Sequence, residues 1–189
     1  MKRVLIAGIA GGLVVFVWGF LSWVVLHFSE DYTHQFVDED AVAAVLAENA
    51  DGPEPGFYVI PGMVGPDGAM LDEEQWKERA GGMAYAMVMM HPGGFHANPA
   101  VMLPRGLLIE ILGALLIAWL VAATGPARSY AARAKVGVAM ALFAGLAGPM
   151  INWNFMLAPT DWTLLLMFDM LVGWTLAGLV IAAFVRPQD

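Results

Sequence analysis

The sequence predicts an all-α membrane protein with four transmembrane helices in a bundle and a small α+β extracytoplasmic insert between helices 1 and 2. Hydrophobic residues make up 59% of the chain and charged residues only 14%, and the mean hydropathy is +0.66. An average soluble domain is about 25% charged, so this composition is typical of a membrane protein. Its apolar stretches approach the roughly 20 residues that a helix needs to cross a hydrocarbon core.

The predicted spans cover residues 4–28, 103–123, 136–151 and 162–185. The third is the shortest, and Pro149 lies near its outer end. Because proline removes a helical hydrogen bond, we expect the third helix either to continue with a kink through Asn152 and Trp153 or to stop there. The predicted domains are a first transmembrane helix (1–28), an acidic extracytoplasmic insert (29–102) and a block holding transmembrane helices 2–4 (103–189).

Basic residues close to the span ends predict the orientation, because Lys and Arg are retained on the cytoplasmic side. They are Lys2, Arg3, Arg128, Arg133, Lys135 and Arg186. Both termini should therefore be cytoplasmic and residues 29–102 extracytoplasmic, in a bacterial inner membrane. The insert carries most of the 17 acidic residues, and the net charge of the chain is −8. We therefore expect no nucleic-acid partner.

Local signals within the insert predict two short helices and a hairpin. Asp38 starts an amphipathic helix that ends near Asn49. Residues 57–60 form a strand between two Pro-Gly pairs, residues 85–89 form its partner, and residues 72–79 form an acidic helix. The insert is small for a core of its own, so we expect it to sit as a cap on the membrane helices.

Short motifs in the insert and in the last two spans resemble a known family. They are Pro55-Gly56-Phe57-Tyr58 with Pro61-Gly62, then Asn152-Trp153-Asn154-Phe155 with Pro159, then Asp169 with Val172-Gly173-Trp174 and Leu176-Ala177-Gly178. In this order they are similar to a family of small bacterial inner-membrane proteins with four predicted spans. The third span of that family ends in Trp-Asn-Trp-Tyr, from which this chain departs. The resemblance implies the four-span architecture and no particular activity.

Two acidic residues, Glu110 and Asp169, lie inside predicted spans, where an unpaired charge costs at least about 2.5 kcal/mol. At roughly 1.5 Å per residue, both lie about 9 to 10 Å inside the outer boundary when counted from Pro104 and Trp162. Each is predicted to lie in the second turn from the N-terminus of its helix, the end where negative charge is favoured. The sequence therefore predicts two carboxylates at matching depth.

Small residues form a stripe along each span, and a polar side chain lies at the outer end of each stripe. The predicted intramembrane polar cluster consists of Ser22, Glu110, Asn152 and Asp169. Three interpretations stay open: the acids share a proton in a relay or cation site, or they hydrogen-bond to hydroxyl, amide and indole groups and hold the helices together, or Arg105 bends down to Glu110 and neutralises it. The candidate ligand contacts are Trp23, His27, Trp153 and Trp174. Tryptophans at span ends are also typical of aromatic belts.

A run rich in methionine and histidine predicts a Cu(I) site in the insert as a further alternative. The candidate ligands are Met87, Met89, His91 and His96. Thioether and imidazole groups suit Cu(I). In a strand, Met87 and Met89 share one face, but scattered methionines also serve as adaptable packing. Apart from copper, no cofactor is expected.

Three classes of function follow from these features. The principal expectation is a non-enzymatic accessory, assembly or envelope factor that acts through helix packing and an acidic periplasmic cap. The second is a small oligomeric proton-coupled carrier that uses Glu110 and Asp169, and the third is periplasmic copper handling. No nucleophile elbow, zinc motif or kinase element in the sequence supports an enzyme. The expected partners are the lipid bilayer and either another membrane protein or a second copy of the chain.

Overall fold

The computed structural model describes residues 1–94, 97–124 and 129–186, and it is mostly helical. In chain order its elements are α1 (Lys2–Phe20), a π-helical turn (Leu21–Val25), α2 (Glu39–Glu48), β1 (Gly56–Ile60), α3 (Glu73–Gly81), β2 (Ala86–Met90), α4 (Pro99–Ala123), α5 (Tyr130–Ala147), α6 (Pro149–Phe155) and α7 (Thr160–Phe184). Within the described residues, four helical segments are long and apolar enough to cross a membrane, as predicted. They are Lys2–Val25, Pro99–Ala123, Tyr130–Phe155 and Thr160–Phe184.

The chain divides into two compact units. The first comprises Met1–His34 and Asn98–Asp189 and contains the four long helical segments. The second, Gln35–Ala97, contains α2, α3 and the β1–β2 hairpin. The expected seating of the insert on the helices stays a prediction.

The first helical segment changes its winding near its C-terminal end. α1 continues into the π-helical turn, in which the Leu26 N–H donates to the Leu21 carbonyl over 2.8 Å. Such a turn widens the usual i→i−4 hydrogen bond to i→i−5. The helical winding ends before His27, whose φ is 53°. The first span is thus shorter at its C-terminal end than the predicted residues 4–28.

The second span begins earlier than its predicted start at residue 103. α4 starts at Pro99, where the Asn98 side chain accepts a hydrogen bond from the Ala100 N–H over 3.0 Å. Proline suits the first helical position, because an amide hydrogen there has no partner within the helix. The helix then continues through Pro104.

The third span is longer than the predicted residues 136–151. α5 begins at Tyr130, and α6 follows it directly, with Gly148 at the junction and Pro149 at the first position of α6. Of the two predicted outcomes, the helix continues past the proline, and α6 includes Asn152 and Trp153. A proline that opens a new helical stretch does not interrupt a hydrogen bond within it.

Glycines let the long helices approach one another closely. α1 packs against α4 and α7, and α5 packs against α7. A methyl group placed on Gly12 would lie 2.5 Å from the Ile111 Cα. One placed on Gly137 would lie 2.5 Å from the Gly178 Cα, so these two backbones touch where α5 crosses α7. Gly12 and Gly137, two of the small residues in the predicted stripes, therefore lie at helix contacts.

Two arginines from other helices hydrogen-bond to backbone carbonyls at the C-terminal end of α7. Arg133, near the start of α5, is buried and donates from Nε to the Ala182 carbonyl over 3.0 Å. Arg3 donates from Nη1 to the Arg186 carbonyl over 3.3 Å. Cationic groups are favourable at the carbonyl end of a helix. The starts of α1 and α5 and the end of α7 therefore lie at one end of this unit.

The second unit contains the elements predicted for the insert. Asp38 accepts from the Ala41 N–H over 2.9 Å at the start of α2, and Asp72 forms a capping box with Gln75 at the start of α3. β1 and β2 pair antiparallel, with Phe57 opposite Met89. The ends of the hairpin strands and of both helices lie within two residues of the predicted positions.

The contact between α5 and α7 should not tolerate even one added methyl group. We expect Gly137→Ala to lower the free energy of unfolding by about 1 to 3 kcal/mol, because backbone atoms of Gly178 cannot move as a side chain can. Gly19→Ala is the matched control, since a methyl group there meets no atom within 4 Å. Thermal unfolding in detergent measures both. Equal melting temperatures for the two variants would contradict the close approach.

Candidate functional site

A cavity of about 440 Å³ lies among the C-terminal part of the first helical segment, α4 and α7. Its aromatic walls are Phe16, Trp18, Phe20, Trp23 and Trp174. Its acidic groups are Glu110 and Asp169, the two carboxylates predicted inside the spans. The structure therefore brings both acids to one cavity within the helical unit.

Two tryptophan side chains hold Asp169. The Trp18 indole donates from Nε1 to Oδ1 over 2.8 Å, and the Trp23 indole donates from Nε1 to Oδ2 over 2.9 Å. Each carboxylate oxygen thus accepts one hydrogen bond from a different turn of the first helical segment. Hydrogen bonds to an ionised acceptor are shorter and stronger than neutral ones. Asp169 therefore ties α7 to the end of α1.

The π-helical turn explains how both indoles reach one carboxylate. In a regular α-helix, five residues rotate the chain by about 500°, so the side chains of Trp18 and Trp23 would point about 140° apart. A π-helical turn rotates less per residue, and here it begins at Leu21, between the two tryptophans. It brings Trp23 back toward the side that carries Trp18. Turns of this kind are frequent at functional sites.

Glycines seat the indole rings against neighbouring helices. A methyl group on Gly173 would lie 2.8 Å from the Trp18 Cδ1, and one on Gly113 would lie 2.6 Å from the Trp174 Cη2. Trp23 also makes an edge contact with Trp162, with ring centroids 5.9 Å apart. The rings therefore have little room to move away from the cavity.

Glu110 is the acid of the pair that lacks a complete set of partners. Its Oε2 is buried and has no hydrogen-bond partner among the described residues. A buried polar atom without a partner costs about 1 to 3 kcal/mol, and more when it is charged. A proton on this oxygen would therefore be stabilising, because it would remove the negative charge from a buried atom.

Both acids lie farther from the starts of their helices than predicted. Counted from the observed helix starts at Pro99 and Thr160, Glu110 lies roughly 16 Å and Asp169 roughly 14 Å along its helix axis. The predicted position near a helix N-terminus is wrong, because both helices begin earlier than predicted. The favourable effect of the helix dipole falls off within the first turn. It therefore does not explain why two acids are tolerated here.

The other predicted polar residues lie apart from this pair. Ser22 is buried and donates to the Gly19 carbonyl of its own helix over 3.3 Å. Asn152 is exposed on α6 and does not line the cavity. Trp153 donates from Nε1 to the Thr160 Oγ1 over 3.0 Å, and His27 is exposed, with Nε2 4.0 Å from the Glu30 Oε1. Of the predicted ligand contacts, Trp23 and Trp174 line the cavity.

The candidate copper ligands lie in the second unit. Met87 and Met89 share one face of β2, where Met89 is 84% exposed, and His91 follows the strand and is exposed. His96 falls outside the described residues. In the part of the chain that the structure describes, no three His, Cys, Asp or Glu side chains are grouped so that they could hold a metal ion. The Cu(I) alternative, which depends on thioether ligands, stays a prediction.

No protein-family model, curated protein or solved structure matches this chain. The resemblance to the family of four-span proteins stays a prediction.

Removing an indole donor from Asp169 should weaken the helical unit. We expect Trp23→Phe to lower the free energy of unfolding by about 1 to 3 kcal/mol, because one oxygen of Asp169 loses its only indole partner. Trp153→Phe is the matched control, since that indole donates to a neutral hydroxyl at an exposed position. Denaturant unfolding followed by circular dichroism measures both. A Trp23→Phe variant as stable as its control would contradict the role of the indoles.

Proposed function

We propose that the protein is a small oligomeric carrier in which the Glu110/Asp169 cavity exchanges a proton for a cation. Glu110 carries this proposal, because it lines the cavity together with Asp169 and its buried Oε2 has no hydrogen-bond partner among the described residues. The cavity offers two carboxylates, and none of the described residues that line it is basic. A cation or a proton from outside the chain would therefore neutralise the negative charge of the two carboxylates.

The two acids have different roles in this proposal. Both oxygens of Asp169 act as hydrogen-bond acceptors, which is the role of a carboxylate, so we assign the standing negative charge to Asp169. Glu110 carries the exchangeable proton. When a cation enters, the Glu110 carboxyl releases its proton and the resulting carboxylate pairs with the cation. The proton and the cation then compete for the Glu110 carboxyl group. Because only one of them is bound at a time, their transport is coupled.

Four spans are few for a carrier that alternates its access, and carriers are commonly built from repeats that move against each other. We therefore propose that two or more copies of this chain assemble. Apolar side chains on the outward faces of the long helices leave surface for lipid or for another copy; Leu112 and Phe143 are 57% and 65% exposed. The interface between copies is part of the proposal.

We place the carrier in a bacterial inner membrane with both termini cytoplasmic. The support is the arginine-rich end of the helical unit, where Arg3, Arg133 and Arg186 lie with the starts of α1 and α5 and the end of α7. Basic residues at span ends are retained on the cytoplasmic side. The same orientation makes Gln35–Ala97 extracytoplasmic, and it puts the cavity in the outer half of the membrane.

An accessory or assembly role is the second candidate. One face of the hairpin supports it: Phe57, Val59 and Met89 are 61%, 39% and 84% exposed, although they are apolar. Exposed apolar patches commonly mark interaction sites. This role depends on the second unit and needs no proton at Glu110, so Glu110→Gln would leave it intact.

A protonated carboxyl group should be detectable at Glu110. Infrared difference spectra of the reconstituted protein, recorded between acidic and alkaline conditions, should show a carboxylic acid C=O band that is lost in Glu110→Gln. Asp161→Asn is the control, because Asp161 is an exposed acid in the first turn of α7. A wild-type band that survives in Glu110→Gln would contradict the proton assignment and with it the proposed exchange.

The orientation can be tested cleanly because the chain contains no cysteine. In intact bacterial cells, a membrane-impermeant maleimide should label Ala43→Cys, at an exposed position in α2. It should label Ala131→Cys, at an exposed position near the start of α5, only after the cells are permeabilised. The reverse labelling pattern would overturn the proposed orientation.

A further inference from the structure

The size of the cavity exceeds what a proton or a bare metal ion requires. Its volume is about 440 Å³, whereas one water in the liquid occupies about 30 Å³. Pockets that bind small organic molecules commonly have volumes of about 300 to 1,000 Å³. The cavity thus has room for an organic body together with its charged group.

Aromatic side chains dominate the walls around the two acids. Phe16, Phe20 and Trp174 line the cavity and make no hydrogen bond to either carboxylate. An aromatic face attracts a positive charge by about 0.5 to 2 kcal/mol, most strongly when the charge is desolvated. Such walls attract a cation and also pack against its apolar body. A metal ion would have to lose bound water molecules and would contact only aromatic rings in their place.

Two glycines keep part of the cavity open. A methyl group on Gly19 would meet no atom within 4 Å, and one on Gly106 would meet only the Phe16 Cε2, at 3.9 Å. Both glycines line the cavity, unlike Gly12 and Gly137, whose neighbours are in direct contact. Helix packing therefore does not explain why these two positions lack a side chain.

The rim of the cavity is open on the apolar surface of the helices. Phe20, Val24 and Leu103 line it and are 54%, 55% and 56% exposed. In a membrane, such positions face lipid, so a ligand can enter from the bilayer. A ligand that takes this route must partition into lipid.

We propose that the cavity binds a lipophilic organic cation, a quaternary or protonated amine with a small apolar body. The positive group pairs with Glu110, and the body lies between Phe16, Phe20 and Trp174 in the space that Gly19 and Gly106 leave open. This inference rests on the proposed cation exchange at Glu110 and names its substrate class. Charge balances, because the Glu110 carboxyl gives up one proton for each monovalent cation bound.

Titration of the full-length protein in nanodiscs of zwitterionic lipid tests the proposal, with benzyltrimethylammonium as the probe. Benzenesulfonate, a ligand of similar size and opposite charge, and empty nanodiscs are the controls. We expect saturable binding of the cation, one per chain, and none of the anion. Binding should be weaker at acidic pH, because protons compete for Glu110.

Two variants at the site and one control locate the binding. Glu110→Gln should weaken binding at least about tenfold by removing the charge, and Gly106→Leu should do the same by filling the cavity. Leu116→Phe adds volume on the exposed side of the same helix and should bind like the wild type. Thermal unfolding checks that each variant is folded, and Gly106→Leu decides the question if Glu110→Gln is not.

The other possible results of the binding and infrared experiments would each refute a different part of the proposal. Binding that persists in both Glu110→Gln and Gly106→Leu would place the cation elsewhere and refute the proposed site. An absence of binding to the wild type, with the infrared band of Glu110 present, would refute the substrate class and leave proton exchange standing. Absence of that band from the wild-type protein would refute the proposed function itself.

Discussion

The two indole hydrogen bonds to Asp169 are the interaction on which the rest of the site depends. A carboxylate inside an apolar helical unit is costly unless its oxygens have donors, and Trp18 and Trp23 supply one donor to each. The π-helical turn at Leu21–Val25 is part of the same interaction, because it brings the second indole to the side of the first. One local change of winding thus makes an intramembrane acid acceptable and joins α7 to the end of α1.

The hydrogen bonds to Asp169 leave Glu110 as the acid with an unpartnered oxygen. The indoles are committed to one acid, and Oε2 of the other is buried without a partner among the described residues. Aromatic walls and two unfilled glycine positions surround the pair and leave a cavity of about 440 Å³. This division, with one acid held in place and the other open to exchange, supports the proposal of a carrier for cations more directly than it supports an accessory role.

Sequence reasoning predicted the four membrane-compatible helices, the hairpin and the two acids, because hydropathy, turn residues and intramembrane charge are local signals. It grouped Asn152 with the acids, whereas Asn152 lies on α6 and does not line the cavity. It did not identify Trp18 as a partner of Asp169, because the side of a helix on which a residue lies depends on where the helix begins and how it winds. α4 begins before Pro104, and the π-helical turn has no marker such as proline within it. The sequence offered one signal for this contact: two tryptophans lie close together in the first span, and another span carries an acid that could accept from their indole groups.

The indole N–H resonances of Trp18 and Trp23 report directly on the interaction that organises the site. Nuclear magnetic resonance of the isotope-labelled protein in a bilayer would compare both resonances in the wild type and in Asp169→Asn. The account predicts that both resonances shift together in Asp169→Asn, because each indole donates to one oxygen of that carboxyl group. If either indole resonance is insensitive to Asp169→Asn, then Asp169 does not hold both indoles and the division of roles between the two acids is wrong.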